Sequence, residues 1–213
     1  MGLYRKLVVP RLTDLAMRNK HLEPYRRRVL GAARGRVLEI GVGSGLNLAR
    51  YPPAVCELLA LEPDPKLMGM ARSKPPESVL PVTFLEASAE QIPLEDGSVD
   101  TVISTWTMCS IPDIGRALEE MRRVLKPAGR LLFVEHGLAA ELNVRKWQNR
   151  LDPLWIHVSG GCHLNRPIEA LVTGAGFEVD RLETGYMTGP KLMTFMYEGM
   201  ARSRGDEERG AFD

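Results

Sequence analysis

The sequence predicts an α/β fold: a doubly wound, mostly parallel, seven-stranded sheet with a helical N-terminal cap. Three observations carry this. From Arg36 onward, short apolar runs alternate with stretches of helical periodicity, the pattern of βαβ units. The first run closes on an acid and a glycine loop in VLEIGVGSGLN, Val37 to Asn47. A second apolar run closes on another acid, Glu62, roughly 20 residues beyond that loop.

The elements follow in order. Residues 1 to 35 read as helical and basic, with Leu12, Leu15, Ala16 and Leu22 loosely periodic and Pro24 in the first turn of a second helix. Arg36 to Ile40 is the first strand. Leu46 to Tyr51 opens the following helix, which Pro52-Pro53 stops. Val55 to Leu61 is a second strand, and Pro65 to Ser73 a helix with Leu67, Met68 and Ala71 facing in. Strands at Val82 to Leu85 and Val99 to Ser104 come next, the latter announced by Asp96-Gly97. Asp113 caps a helix whose apolar face is Ile114, Leu118, Met121, Val124 and Leu125. Pro127-Ala128-Gly129 ends it before a fifth strand, Arg130 to Glu135. A helix over 166 to 174 precedes two late strands, Phe177 to Thr184 and Leu192 to Met200, the last expected to be antiparallel. The organisation is a cap over 1–35, one domain over 36–201 and a polar tail over 202–213, expected to be disordered.

Composition excludes several classes. The 213 residues are 44% hydrophobic and 26% charged, enough for one well-filled domain. A net charge of +1 gives no reason to expect a nucleic-acid partner. Cys56, Cys109 and Cys162 are scattered with no CxxC pair, which argues for a reducing compartment. No apolar stretch approaches the roughly 18 residues of a transmembrane helix. The start, MGLYRKLVVPRL, lacks a long signal core, so a cytoplasmic location is expected.

The glycine loop selects among nucleotides. A dinucleotide loop reads GxGxxG, with its third glycine allowing close helix packing. Here Gly41, Gly43 and Gly45 give GxGxG, and Leu46 stands where that third glycine belongs. Glu39, inside the strand end, would repel a pyrophosphate but suits a cation. S-adenosylmethionine carries an ammonium and a sulfonium and no phosphate. The three glycines would let the backbone approach its methionyl and ribose parts, with Asn47 and Leu48 on the same side. Glu62 could accept both ribose hydroxyls.

Four segments in order, VLEIGVGSG, LALEPDPKLMGMA, EASAEQIPLEDGSVDTVIS and EEMRRVLKPAGRLLFVEH, resemble a class I S-adenosylmethionine-dependent methyltransferase. The resemblance implies that Glu39, Gly41, Gly43 and Gly45 lie at the methionyl end and Glu62 on the ribose. Pro63 and Met68 would flank the adenine, and Ser88 and Ala89 would meet its edge, Ser88 replacing the commoner Asp. Thr105 and Trp106 would border the transferred methyl.

The segments TWTMCSIPD, FVEHGLAAE and LDPLWIHVSGGCHLNRP further resemble the thiol S-methyltransferase branch of the methyltransferase-like proteins. That branch implies a small thiol as acceptor. Two features depart from it: the chain shows no apolar N-terminal anchor, and Gly160 stands where an acid is expected. A free thiol has a pKa of about 8.5 and reacts as thiolate. His136, at the end of the fifth strand, is therefore the first candidate base and His163 the second. His157, Cys109 and Cys162 read as packing residues, and no metal is expected because Cys162-His163 has no second pair in sequence. Trp106, Trp147 and Trp155 are candidates to wall an apolar pocket. The basic leader reads as a lid, with plain packing or contact with an anionic membrane as alternatives. Other readings are N-, O- or C-methylation of a lipid or quinone-like molecule, an S-adenosylmethionine-binding module without turnover, and a nicotinamide oxidoreductase, against which Glu39 and Leu46 count.

Overall fold

The structure, a computed structural model, describes residues 8–74 and 79–204. Seven strands form one sheet: β1 Gly35–Ile40, β2 Val55–Leu61, β3 Val82–Leu85, β4 Val99–Thr105, β5 Leu125–His136, β6 Phe177–Tyr186 and β7 Phe195–Ser203, in spatial order β3-β2-β1-β4-β5-β7-β6. The first five pair in parallel, and β7 runs antiparallel between β5 and β6. The helices are α1 Val9–Met17, α2 Glu23–Gly31, α3 Pro65–Arg72, α4 Ile114–Val124, α5 Leu142–Val158 and α6 Ile168–Gly174.

The parallel strands are buried on both faces, as their near-continuous apolar runs require. Val37, Ile103 and Leu132 pack with Val29 and Leu30 of α2 on one side. Leu38, Val102 and Phe133 pack with Leu118 and Met121 of α4 and Ile168 and Val172 of α6 on the other. The Asp113 carboxylate accepts the Arg116 amide at the start of α4, and Asp64 accepts the Lys66 and Leu67 amides at the start of α3. The direction of winding reverses between β1 and β4, where a ligand crevice opens at the carboxyl edge of such sheets.

Four elements differ in the main from the sequence expectation. β5 begins at Leu125 rather than Arg130, so Leu125 and Pro127-Ala128-Gly129 belong to the strand and not to the helix and its stop, because Leu125 already pairs with Val99 of β4 across a register shift. The stretch after the glycine loop is a single 3-10 turn, Leu48–Arg50, because the Pro52-Pro53 stop comes before a full helix can form. Residues 142–158, for which the sequence suggested no element, form the longest helix. Pro153 lies inside it, and Leu142, Trp147, Leu154 and Val158 are exposed, so the apolar stripe expected of a surface helix is blurred. The last strand starts at Phe195 rather than Leu192, since Leu192 and Met193 belong to the preceding turn, and it extends to Ser203. The tail beyond Arg204 and the first seven residues lie outside the described residues.

Gly199 of β7 pairs with Phe133 of β5, and a Cβ on Gly199 would stand 2.3 Å from the Phe133 ring. Phe133 has no exposed surface and no room to turn aside. Gly199→Ala should therefore destabilise the fold by about 1–3 kcal/mol in denaturant unfolding; unchanged stability would refute this packing.

Candidate functional site

Glu39 ends β1 with no exposed surface. Its carboxylate accepts from Asn47 Nδ2 at 2.6 Å and from the Tyr51 hydroxyl at 2.8 Å. The same Asn47 amide nitrogen donates to Thr105 Oγ1 at 3.1 Å, and its oxygen accepts from Arg26 Nε at 3.0 Å. The Arg26 guanidinium lies 4.9 Å from the centre of the Trp106 ring. One polar network thus joins β1, the glycine loop, the end of β4 and α2. Burial pushes the Glu39 carboxyl up to about 7, against the lowering effect of Tyr51 and Asn47.

The three glycines all have φ between +55° and +78°, a region costly for other residues. Their surroundings divide them. A Cβ on Gly41 would meet the Thr107 side chain at 2.5 Å, and one on Gly45 would meet Leu48 at 2.7 Å and Ala71 of α3 at 3.1 Å. Those two are fixed by protein packing. A Cβ on Gly43 would find nothing nearer than the Gly41 carbonyl at 4.0 Å, so this glycine faces open space. Its amide donates to Glu62 Oε2 at 3.0 Å, while Glu62 Oε1 accepts from the Asp64 amide. Burial raises the Glu62 pKa. An open backbone cradle, one acid held near neutrality and a second acid with lone pairs to spare suit a cationic nucleoside ligand such as S-adenosylmethionine. They do not suit a pyrophosphate.

The remaining expected cofactor contacts are less directly joined. Met68 is fully buried in α3, Ala89 is part of the core, and Pro63 is exposed. Ser88 Oγ bonds Glu90, making a local turn. Leu48 packs between the core and the glycine loop. Trp106 has φ of 53°, the one described non-glycine residue with positive φ, at the end of β4.

Glu135, at the end of β5, holds that strained turn. Its Oε1 accepts from Ser104 Oγ, the Thr107 amide and the Met108 amide at 2.8–3.0 Å. Burial pushes its carboxyl up to about 8, with Cys109 adding to the rise. The next residue, His136, places Nε2 at 2.9 Å from Cys162 Sγ, and its Nδ1 is buried without a partner. Cys109 completes a group whose ligating atoms all lie within 4.8 Å of one another. His163 does not join them: its Nδ1 faces Asp152 Oδ2 at 2.8 Å, while its amide donates to the Cys109 carbonyl. His157 bonds the Pro153 carbonyl on exposed α5. Trp147 is exposed, whereas Trp155 helps line an apolar groove of about 290 Å³ with Leu151, Leu154, Leu164 and Met193.

α1 contacts this edge at two places. Ser44 Oγ of the glycine loop donates to Asp14 of α1. At the other end of α1, Val9 Cγ1 stands 2.6 Å from where a Gly160 Cβ would sit, and Gly160 has φ of 78°. Both facts explain glycine at a position where the resemblance suggested an acid. Arg26 and Tyr51 are the site residues that sequence reasoning did not place, because they lie outside every motif; Glu135, a candidate at the end of the fifth strand, has three donors that no local pattern shows.

Glu39 and Glu135 have folded-state pKa values raised above the ordinary carboxyl range, to about 7 and about 8. Their contribution to stability is complete below the unfolded pKa and lost as pH rises through those values. The thermal midpoint of the ligand-free protein should fall between about pH 5 and pH 8.5, and Glu39→Gln or Glu135→Gln should flatten the fall. A flat wild-type profile would contradict the burial argument. Glu135→Ala, which strands three buried donors, should cost roughly 3 kcal/mol or more in denaturant unfolding.

Comparison with known proteins agrees with this architecture. A family model described as "Methyltransferase domain" matches residues 38–133. Rat thiol S-methyltransferase TMT1B (Rattus norvegicus) is 35% identical over 155 residues, 69% of this chain and 62% of the relative. The human protein of the same name (Homo sapiens) is 33% identical over 181 residues, 78% of this chain and 72% of the relative. A malonyl-[acyl-carrier protein] O-methyltransferase from Methylococcus capsulatus is 32% identical over 185 residues, covering 80% and 62%. The chain thus spans under two thirds of the rat and Methylococcus relatives. Among solved structures, an S-adenosylmethionine-dependent methyltransferase from Thermotoga maritima superposes with a TM-score of 0.64 at 20% identity, covering 94% of this chain and all of that one. No helix among the described residues is long and apolar enough to cross a membrane. With its strand order, its acid-glycine loop and these relatives, the chain belongs to the class I S-adenosylmethionine-dependent methyltransferases.

Proposed function

We propose that this protein transfers the methyl group of S-adenosylmethionine to the sulfur of a small apolar thiol. The observation that carries the acceptor is the Cys109–His136–Cys162 group beside an apolar groove, in a chain whose relatives include proteins named thiol S-methyltransferases. Bound S-adenosylmethionine supplies an electrophilic methyl on a sulfonium with a neutral thioether as leaving group. The residues of this chain do the rest. Glu39, through Asn47 and Tyr51, fixes the glycine loop and balances the cofactor's positive charge. Gly43 leaves room for its backbone-side approach, and Glu62 receives the ribose hydroxyls. Trp106, pinned by Arg26 and by the Glu135-anchored turn, borders the methyl. α1 lies across the edge as a lid, tied to Ser44 and seated on Gly160, and excludes water from the transfer.

The thiol proton must leave before or during attack. His136 sits at the carboxyl edge with Nε2 against Cys162 Sγ, and it is the imidazole we assign to that proton. Burial works against its protonation, yet Cys109, Glu135 and Asp152 outweigh this and raise its pKa. The His163–Asp152 pair positions the loop carrying Cys162 and stands back from the acceptor. Cytoplasmic residence fits three unpaired cysteines. The Methylococcus relative's name favours an oxygen acceptor as the second reading.

Incubation with S-adenosylmethionine and a panel of thiols, amines, phenols and phospholipids should give S-adenosylhomocysteine and methylated thiol, quantified by mass spectrometry. Methylation of a phenol or lipid in place of every thiol would overturn the acceptor assignment. Cofactor binding should release protons below about pH 7, because a nearby ammonium lowers the Glu39 pKa. Calorimetry in buffers of different ionisation enthalpy measures this. Glu39→Ala should weaken binding on the order of tenfold or more, and unchanged affinity would displace Glu39 from the cofactor site.

A further inference from the structure

Cys109, His136 and Cys162 come from three separate places at one edge of the sheet: the turn after β4, the end of β5 and the loop after α5. Their ligating atoms lie within 4.8 Å of one another, and the other described acids and histidines form no comparable group. We propose that these three side chains bind a tetrahedral, thiophilic divalent ion, zinc foremost, and that the substrate thiol takes its fourth position. The role of that fourth position rests on the thiol-acceptor reading above, whereas the metal site itself does not.

The donor set decides the class of ion. Two thiolates and an imidazole favour zinc or another borderline-soft ion over magnesium or calcium, which take oxygen. Three protein ligands leave one coordination position free, the arrangement of catalytic rather than structural zinc. Tetrahedral bonds of about 2.3 Å to sulfur and about 2.0 Å to nitrogen put neighbouring donors about 3.5–3.8 Å apart. The three ligating atoms lie within 4.8 Å of one another, and the 2.9 Å contact of His136 Nε2 with Cys162 Sγ would have to open by about 0.6 Å to reach that spacing.

The frame is set before any ion arrives. Glu135 fixes the turn that carries Cys109 through the Thr107 and Met108 amides. The His163 amide binds the Cys109 carbonyl, Ser159 Oγ binds the Cys162 carbonyl, and Asp152 holds both the Leu164 amide and the His163 ring. Cys109 is buried, while His136 and Cys162 keep partial exposure. Trp155, which interacts with Cys162, also lines the apolar groove together with Leu164. That groove would take the alkyl part of an acceptor whose sulfur meets the ion.

The chemistry balances without further reagents. With the ion bound, His136 would serve as ligand and coordination would replace it as the means of deprotonation: the thiol pKa falls, the S–H proton passes to solvent and a metal-bound thiolate remains. A lone pair on that sulfur forms the new S–C bond to the cofactor methyl. The pair of the breaking C–S bond returns to the cofactor sulfur, giving S-adenosylhomocysteine. The product thioether is a weaker ligand than a thiolate and leaves.

The test begins with metal-free protein titrated with cobalt(II). Expected is one ion per chain, with thiolate-to-cobalt charge-transfer absorption and the intense visible bands of a tetrahedral site. Cys109→Ser and Cys162→Ser should each weaken binding by more than the roughly 10–100-fold that loss of an outer partner costs. Cys162→His, which keeps a ligand, should restore affinity with less charge-transfer intensity, and S-adenosylhomocysteine affinity reports that each variant is folded. Absence of the charge-transfer band, or a band that survives both serine substitutions, overturns the site. Ethanethiol should shift the visible bands, and an unchanged spectrum overturns the fourth-ligand role. Equal rates of ethanethiol methylation by zinc-loaded and metal-free protein would likewise overturn that role while leaving the methyltransferase reading intact. A shifted spectrum with no methylated thiol would support the metal site and sink the acceptor reading.

Discussion

A carboxylate without access to water sits at the end of β1, and much of the candidate site is arranged to satisfy it. Glu39 is held by Asn47 and Tyr51, Asn47 by Thr105 and Arg26, and Arg26 lies over Trp106. An uncompensated buried acid is expensive, so each partner is constrained in place by that cost. The result is that the glycine loop, the β4 end and α2 cannot shift independently. The burial that raises the Glu39 pKa also readies it for a positively charged ligand, because a cation there recovers the energy lost on desolvation.

Glu135 repeats the device one strand over. It accepts from three donors through a single oxygen and leaves the other unpartnered. Its donors lie in the turn that carries Trp106 at positive φ and Cys109 below it. Two buried acids at the carboxyl edge therefore organise two neighbouring loops, one toward the glycine cradle and one toward the Cys109–His136–Cys162 group. Strain at Trp106 persists because this surrounding structure over-determines it.

The N-terminal helices matter for a related reason. α1 contacts the glycine loop through Asp14 and Ser44 and the loop after α5 through Val9 and Gly160. It therefore bridges the candidate cofactor cradle and the candidate acceptor region. Arg11, Leu12, Leu15 and Ala16 of α1 are largely exposed, and so are Leu154 and Val158 of α5. A helix resting on few buried contacts opens at low cost.

The fold and the identity of the cofactor were legible in the linear sequence. Apolar runs of strand length, the turn at Asp96-Gly97, the cap at Asp113 and the acid-glycine loop are local signals, and local signals survive in a linear string. The strand boundaries at Val55–Leu61 and Val82–Leu85 fall where the sequence reading put them. The long helix over 142–158 was hidden because Pro153 and four exposed apolar residues blurred its period. The grouping of Cys109, His136 and Cys162 was visible only in three dimensions. Cys109, His136 and Cys162 are each unremarkable where they stand in the chain, and parallel strand order is what carries them to one edge. The same holds for Arg26, whose partner is Asn47, and for Tyr51, whose partner is Glu39. A periodic pattern records which face a residue buries, but it holds no record of which distant residue will share that burial, because chain topology sets that distance.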